Sequence, residues 1–245
     1  MTANNTYKQT AAVCPSYHEL KQLLTQLLDN GPADRTLPMA LQILSHPNIL
    51  AGLLNSAVSD PDWFSQIQKA SYYHRNGFDK LVLLEGENFK LRLHHFRPGC
   101  GILPSENVHD HRWPFASSVI AGRLRMRLLE PQPNGELPVF EYRYHSDKSS
   151  GTYQCVPIGF CGLVQTDYII YETGTHYFMP TTILHQIVYQ TGEEALTLVL
   201  TGKPERNTCR LYSMGMMQEE EMEIESYTTH ELSKKLRTIA NQLYT

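Results

Sequence analysis

Apolar residues follow a helical period near both ends of the chain. Ser16 and Glu19 have the spacing of a capping box, and the leucines after them share one helical face: Leu20, Leu23, Leu24, Leu27 and Leu28. Thr228 and Glu231 repeat the spacing before a second apolar stripe: Leu232, Leu236, Ile239 and Leu243. These patterns predict helices over about 17–29 and about 228–243. Their apolar faces are expected to pack on the rest of the fold, with a homodimer contact as the alternative.

Two further helices are predicted between residue 30 and residue 70. The first is expected to run from Pro38 towards Leu53. The second is a short helix that starts at Asp60-Pro61-Asp62, because proline is tolerated in the first turn of a helix.

The middle of the chain alternates with the period of a β-strand. Residues 78–84 and 88–96 are predicted to form a hairpin around the turn at 85–87, and Leu91, Leu93 and His95 alternate with their neighbours in its second strand. Later strands are predicted over 116–129, 139–145, 162–171, 176–179, 184–189 and 195–201. Many short strands separated by glycine and proline favour a mainly β fold, a double-stranded β-helix or jelly-roll barrel with N-terminal helices and a C-terminal helix.

The pattern indicates a single domain over residues 1–245. It has a helical N-terminal extension at about 15–70, a barrel core at about 75–213 and a C-terminal helix at about 228–243. A chain of this length buries enough surface to fold without disulfides or structural metals.

Composition indicates the cellular compartment and the classes of binding partner to expect. The five cysteines are odd in number and show no Cys-x-x-Cys spacing, so reduced thiols are expected. No signal peptide and no apolar run of membrane-spanning length is evident, and the net charge of −4 has mixed signs. We therefore expect a cytoplasmic protein with a small-molecule substrate, and neither nucleic acid nor a membrane as partner.

The candidate chemistry lies at His109-Asp110-His111 and at His185. Side chains at i and i+2 point to the same side of a strand, so His109 and His111 can face one cavity, which His185 can reach from a distant strand. Neutral imidazoles suit a divalent first-row transition metal. Taken alone, a His-x-His pair is more often a surface or hydrogen-bonded pair.

The surroundings of the first pair resemble the first motif of the cupins. That motif runs His-x-His, Glu and Gly, and this sequence has His109, His111 and Gly122 at the matching places. Phe115 stands where the family has its Glu.

The second cupin motif is also matched. Gly174, Pro180 and His185 fall at the motif positions, whereas Thr182 replaces a glycine and Tyr189 an asparagine. The resemblance covers roughly residues 75–205. It implies a cupin jelly-roll barrel that holds one metal ion on three histidines, namely His109, His111 and His185.

A centre without the acidic ligand resembles that of cysteine dioxygenase and related thiol dioxygenases. Three neutral histidines leave a divalent ion its full charge and up to three open positions. Fe(II) is the ion that this resemblance favours, with zinc, nickel and copper as alternatives. Because Phe115 is apolar, it is expected to form a wall that keeps the cavity dry.

The thiol dioxygenase resemblance extends upstream to Tyr73-His74-Arg75-Asn76, which matches Tyr-x-Arg-Asn. In that family the arginine holds the substrate carboxylate, so the resemblance gives Arg75 this role, for which a planar guanidinium is suited. The alternative is a solvated loop residue beside the Asn76-Gly77 turn.

Other positions depart from the thiol dioxygenases. Ala116 replaces the cysteine that can cross-link to tyrosine, and the expected Ser-x-His-x-Tyr relay falls at Thr197, Val199 and Thr201. Cysteine is therefore not the expected substrate. The block His-Asp-His-Arg-Trp looks more like that of an uncharacterised cupin branch, for which no substrate is implied.

Several polar residues near the histidines have alternative roles. Asp110 is expected to bond to an imidazole or a loop amide rather than to a metal. His94 and His95 point to opposite faces of one strand, so at most one can reach the cavity, and a core or surface role is favoured for each. His176 is a candidate substitute ligand, ranked below His185, or an acid/base group, since an imidazole titrates near neutral pH.

The leading functional hypothesis is an Fe(II) oxygenase that acts on a small polar metabolite and uses dioxygen. One alternative is a non-catalytic cupin that binds a metal or a ligand. The other is a metal-dependent isomerase or hydrolase, in which the ion acts as a Lewis acid and no oxygen is consumed.

Overall fold

The computed structural model describes residues 15–74, 76–97, 107–147, 152–190, 192–217 and 225–244. Its helices are α1 (Tyr17–Asp29), α2 (Ala33–Leu44), α3 (Pro47–Ser59), α4 (Pro61–Ala70) and α5 (Thr229–Gln242). No single described helix is long and apolar enough to cross a membrane, although α2 and α3 pass that test when taken together across a bend of 79°.

The predicted helix starts at Ser16, Asp60 and Thr228 are confirmed. The Ser16 backbone N–H donates to the Glu19 carboxylate at 2.9 Å while the Ser16 hydroxyl accepts from the Glu19 N–H, and Thr228 forms the same capping box with its own glutamate. The Asp60 carboxylate accepts from two backbone N–H groups in the first turn of α4.

The prediction of one helix from Pro38 to Leu53 is wrong. α2 begins earlier, at Ala33, and encloses Pro38, and the chain then breaks before Pro47 starts α3 at its first position. Proline has no N–H to donate to the carbonyl four residues back, so a helix that has reached Ser45 stops there, while Pro47 is well suited to begin the next one.

The strands all pair antiparallel. They are β1 (Tyr72–His74), β2 (Phe78–Glu85), β3 (Lys90–Phe96), β4 (Val108–His109), β5 (Phe115–Gln132), β6 (Leu137–Asp147), β7 (Thr152–Glu172), β8 (His176–Met179), β9 (Leu184–Val188), β10 (Ala195–Thr201), β11 (Cys209–Ser213) and β12 (Glu225–Ser226). The predicted hairpin is β2–β3, and β8 and β10 have the predicted bounds. Strands β1, β11 and β12 were not predicted.

Two sheets share the long strand β5. Residues 115–118 of β5 lie between β10 and β8, and β3 pairs with the far edge of β10. Residues 125–129 of β5 lie between β9 and β7, and β4 pairs with the far edge of β9. The orders β3-β10-β5-β8 and β4-β9-β5-β7 form a jelly roll, so the predicted mainly β barrel is confirmed.

Gly122 marks the point at which β5 passes from one sheet to the other. Its φ is +76°, and a Cβ there would lie 1.8 Å from the Glu194 carbonyl oxygen. That carbonyl accepts a hydrogen bond from the Arg123 N–H at 3.0 Å. Only glycine allows both the left-handed backbone and this close approach of β10.

The first sheet is covered on its outer face by the helices. Leu91 and Leu93 of β3 and Leu198 of β10 pack in one core with the apolar residues of α1–α5. This packing confirms that the helical stripes cover the barrel. Arg92 and His94, which alternate with those leucines, therefore face the interior between the two sheets.

Candidate metal centre

Three histidines from separate parts of the chain converge inside the barrel. His109 ends β4 and pairs in register with His185 of β9, and His111 lies two residues further on. The ring centroids are 4.6 Å apart for His109 and His185, 4.9 Å for His109 and His111, and 5.0 Å for His111 and His185. One ring nitrogen from each lies within 4.8 Å of the other two, so the three can hold one metal ion.

Backbone carbonyls set the tautomers of two of these rings. His109 Nδ1 lies 2.8 Å from the Asn107 carbonyl oxygen, and His185 Nδ1 lies 3.4 Å from that of Ile183. Because a carbonyl only accepts, each Nδ1 carries the hydrogen and each neutral ring keeps a lone pair on Nε2. A nitrogen lone pair held in this way is suited to a transition metal.

Burial keeps two of the rings neutral. His185 is 3% exposed, and burial, with the charge of His109 as the second cause, lowers its pKa to about 3. Burial also lowers the pKa of His111 well below its ordinary value, and His109 and His185 add to that effect. Neutral imidazole is the form that binds a metal, so these rings need not lose a proton to accept one at neutral pH.

The alternation of side chains along a strand does not explain why His111 lies beside His109, because β4 ends at His109. The link after β4 is held instead by Asp110, which is fully buried. Asp110 Oδ1 accepts from the Arg210 backbone N–H at 2.7 Å, while Oδ2 accepts from Arg210 Nε at 2.7 Å and from Arg206 Nη1 at 3.2 Å. Asp110 thus bonds to a backbone amide and to two guanidinium groups, but the amide belongs to strand β11 and not to a loop, as had been predicted.

The same two arginines tie the two histidine segments together. Arg206 Nη2 donates to the carbonyls of His111 and Thr181, and Arg210 Nη2 donates to the Thr182 carbonyl at 3.0 Å. The segment that precedes His185 is thereby fixed against the segment that carries His111. No motif or spacing marks Arg206 and Arg210 in the sequence, so both were missed.

The three histidines line a cavity of about 160 Å³. Its other lining residues in the described chain are His74, Asn76, Phe78, Lys80, Arg92, His94, Phe96, Trp113, Phe115, Leu124, Met126, Tyr177, Ile187, Thr197, Val199 and Thr201. No carboxylate is among these described residues. A metal here would therefore have three imidazoles, and no carboxylate, as ligands from this described lining.

Aromatic side chains flank the histidines where the cupin motif has its glutamate. The Phe115 ring centroid lies 5.1 Å from that of His111 and 6.2 Å from that of His185. Trp113 stacks on His111 at 5.9 Å with an angle of 21° between the ring planes. These rings form an apolar wall, which is the place predicted for Phe115.

The two other predicted site residues are Arg75 and His176. Arg75 lies outside the described residues. His176 is exposed, because it alternates on β8 with Tyr177, and Tyr177 is the residue that faces the cavity. Of the β3 pair, His94 faces the cavity, whereas the expectation had been a core or surface role; His95 faces outward and contacts Glu194 at 2.5 Å.

Comparisons with known proteins give structural likenesses alone. No family model matches the chain, and no curated protein does. The protein TT1209 from Thermus thermophilus is 16% identical with a TM-score of 0.33, and the match covers 57% of this chain and 93% of that one. The polyketide cyclase RemF from Streptomyces resistomycificus is 14% identical with a TM-score of 0.35, covering 61% and 82%.

A third likeness is to an RmlC-like cupin from Shewanella frigidimarina, which is 12% identical with a TM-score of 0.33, covering 55% of this chain and 84% of that one. TM-scores this low carry no argument about family, metal or substrate. The jelly-roll assignment rests on the strand pairings, and the metal site rests on its own geometry.

Proposed function

We propose that this chain is a metal-dependent cupin that binds one Fe(II) on His109, His111 and His185 and oxidises a small polar metabolite with dioxygen. One observation carries the proposal: three histidine nitrogens converge in a cavity whose described lining contains no carboxylate. A bound divalent ion then keeps its full charge and several open positions, which suits direct binding of a substrate heteroatom beside dioxygen.

The residues of the chain would hold and shield this chemistry. When bound, the ion supplies the redox step and the open coordination positions. The carbonyls of Asn107 and Ile183 hold the hydrogens of two imidazoles on Nδ1, so the Nε2 lone pair of each would be the one offered to the ion. Phe115 and Trp113 pack against His111 and would restrict water beside it.

The direct experiment measures oxygen consumption. Protein loaded anaerobically with Fe(II) is mixed with pools of small polar metabolites in an oxygen electrode, beside zinc-loaded protein and a His185→Ala variant. Oxygen uptake with at least one pool, present with Fe(II) and absent in both controls, is the expected result. His176→Ala is the matched histidine control, since His176 is exposed and apart from the three ligands, and it should retain the activity.

Other outcomes separate the alternative functions. Turnover of a metabolite without oxygen uptake, equally fast with zinc, would replace the oxygenase by an isomerase or hydrolase. Absence of turnover with every metal, together with tight binding of one metabolite, would identify a ligand-binding cupin. We place the protein in the cytoplasm, supported by three cysteines that form no disulfide in the described chain: Cys155, Cys161 and Cys209.

A further inference from the structure

Strand β3 presents two polar side chains to the wall of the metal cavity. Arg92 and His94 are two residues apart, so they point to the same side of the sheet and both line the cavity. Their neighbours across the pairings are Val199 and Thr197 of β10, with Lys80 of β2 opposite His94. Neither the proposed metal ligands nor the proposed reaction accounts for this pair.

Arg92 is a buried cation for which the protein supplies little compensation. It is 8% exposed, and its Nε has no hydrogen-bond partner. None of the ion pairs in the described chain involves Arg92; its guanidinium carbon instead lies 5.4 Å from the Trp113 ring. Burial lowers the pKa of Arg92 to about 10, which still leaves the group charged at neutral pH.

A buried charge of this kind is costly unless a counter-charge joins it. Lys80 adds a second cation to the cavity lining, and the described lining has no carboxylate. No carboxylate of the described residues forms an ion pair with Arg92, so an anionic ligand in the cavity would supply its counter-charge. A guanidinium that keeps a free N–H is suited to a carboxylate.

His94 offers a hydrogen-bonding group beside that charge. Its Nε2 is buried and has no partner. Burial, followed by the charges of Arg92 and Lys80, lowers the pKa of His94 well below its ordinary value, so the ring is neutral. A neutral imidazole binds a hydroxyl or carbonyl group, and the nearby cations disfavour an ammonium group.

We infer that Arg92 and His94 form a recognition wall for a small hydroxy or oxo acid, with Arg92 binding the carboxylate and His94 binding the hydroxyl or carbonyl oxygen. Alternate residues of a strand are about 6.6 Å apart, so the two groups of the ligand are separated by a short carbon chain. The assignment of such an acid as the substrate rests on the proposed function. Binding of the acid to Arg92 and His94 does not require that the protein oxidise it.

The test uses four matched probes: 3-hydroxybutyrate, butyrate, 3-aminobutyrate and the neutral 3-hydroxybutanamide. Dissociation constants are measured by ligand-observed NMR on the metal-free protein, where no metal can chelate the probe, and again on the zinc-loaded protein. The expected order of affinity is 3-hydroxybutyrate, then butyrate, with 3-aminobutyrate and the amide weakest. The charged acid should bind about tenfold tighter than the amide.

Two variants test the contributions of Arg92 and His94 to binding separately. Arg92→Met should weaken both 3-hydroxybutyrate and butyrate by about tenfold or more. His94→Phe should leave butyrate unchanged and remove the advantage of 3-hydroxybutyrate over it. Arg123→Met is the matched control and should bind every probe like the wild type, because that side chain is 55% exposed and paired with Glu172.

The melting temperature distinguishes a ligand-binding role of Arg92 from a purely structural one. Without ligand, Arg92→Met should melt no lower than the wild type, because it removes a buried charge that lacks a counter-ion. A lower melting temperature with unchanged probe affinity would show that Arg92 only packs against Trp113, and would overturn the inference.

Three further results would also overturn the inference: equal affinity for the amide and the acid, no millimolar binding of any probe, or tightest binding of 3-aminobutyrate. Failure of the proposed function looks different. In that case the probes bind in the expected order, but Fe(II)-loaded protein consumes no oxygen with any pool.

Discussion

Arg210 holds the Asp110 carboxylate through two of its own groups, the backbone N–H and the side-chain Nε, each 2.7 Å from a carboxylate oxygen. β11 is thereby joined to the link between His109 and His111. Since Arg206 also donates to Asp110, one buried carboxylate orients the segment that carries two of the three histidines.

Asp110→Asn should weaken both the fold and the metal site. The amide keeps one acceptor oxygen but places an NH₂ group against a guanidinium, and the buried arginine contacts lose their counter-charge. We expect the free energy of unfolding to fall by about 3 kcal/mol. Metal affinity should fall by about tenfold or more, as for other residues that orient ligands. Urea unfolding and competitive metal titration measure the two effects.

The control for this charge is Glu172→Gln. Glu172 is exposed and pairs with Arg123 on the surface, so its loss should change stability by less than about 1 kcal/mol. If Asp110→Asn has the same free energy of unfolding and the same metal affinity as this control, Asp110 does not position the histidines.

The two motif glycines should differ sharply in their tolerance of alanine. Both have a positive φ, +76° for Gly122 and +86° for Gly174. A Cβ at Gly122 meets the Glu194 carbonyl oxygen at 1.8 Å, whereas one at Gly174 meets nothing within 4 Å. Gly174→Ala should cost about 1–2 kcal/mol of backbone strain, and Gly122→Ala considerably more because β10 must also move.

Urea unfolding midpoints of the two variants compare the costs directly. Equal losses would mean that the approach of β10 to Gly122 is not a constraint on the barrel.

Much of the fold could be predicted from local signals. The capping boxes at Ser16 and Thr228 mark helix starts because each consists of hydrogen bonds between side chains and backbone groups only three residues apart. Strand β10 was predicted with its observed bounds, although all its residues are buried, because it is a short run of apolar and β-branched residues. Taking Pro38 as a helix start missed the first turn of α2, and the break before Pro47 was missed because the apolar pattern continues across it.

The site was predictable only as far as its motif. His109, His111 and His185 were found because their spacing matches a known pattern, and the structure brings them together. Arg206 and Arg210 act through contacts with residues about a hundred positions away, and such pairing leaves no periodic signal in one sequence. His94 faces the cavity because the helices cover the opposite side of β3, which strand alternation alone does not decide.

Stability should fall in mild acid, and His94 should supply part of that loss. Burial lowers the pKa of His94 well below its ordinary value in the folded state. In the unfolded chain the pKa returns to about 6.5, so below that pH the unfolded state binds a proton that the folded state does not. Stability therefore decreases as the pH falls through this window, by at most about 1.4 kcal/mol per pH unit for one group.

His94→Phe should flatten this dependence between pH 7 and pH 5 in metal-free protein. The slope of unfolding free energy against pH is measured by urea unfolding at several pH values. His176→Phe, at an exposed position, should keep the wild-type slope. An unchanged slope in His94→Phe would contradict a buried, neutral His94.

The central claim is that three histidines hold one divalent metal ion, and metal stoichiometry tests it most directly. The protein is incubated anaerobically with Fe(II) and freed of excess metal by gel filtration. Inductively coupled plasma mass spectrometry should then find about one iron per chain. His111→Ala and His185→Ala should each lower this nearly to zero, and His176→Ala should not. Wild-type protein that retains no ion, or alanine variants that keep a full equivalent, would contradict the claim.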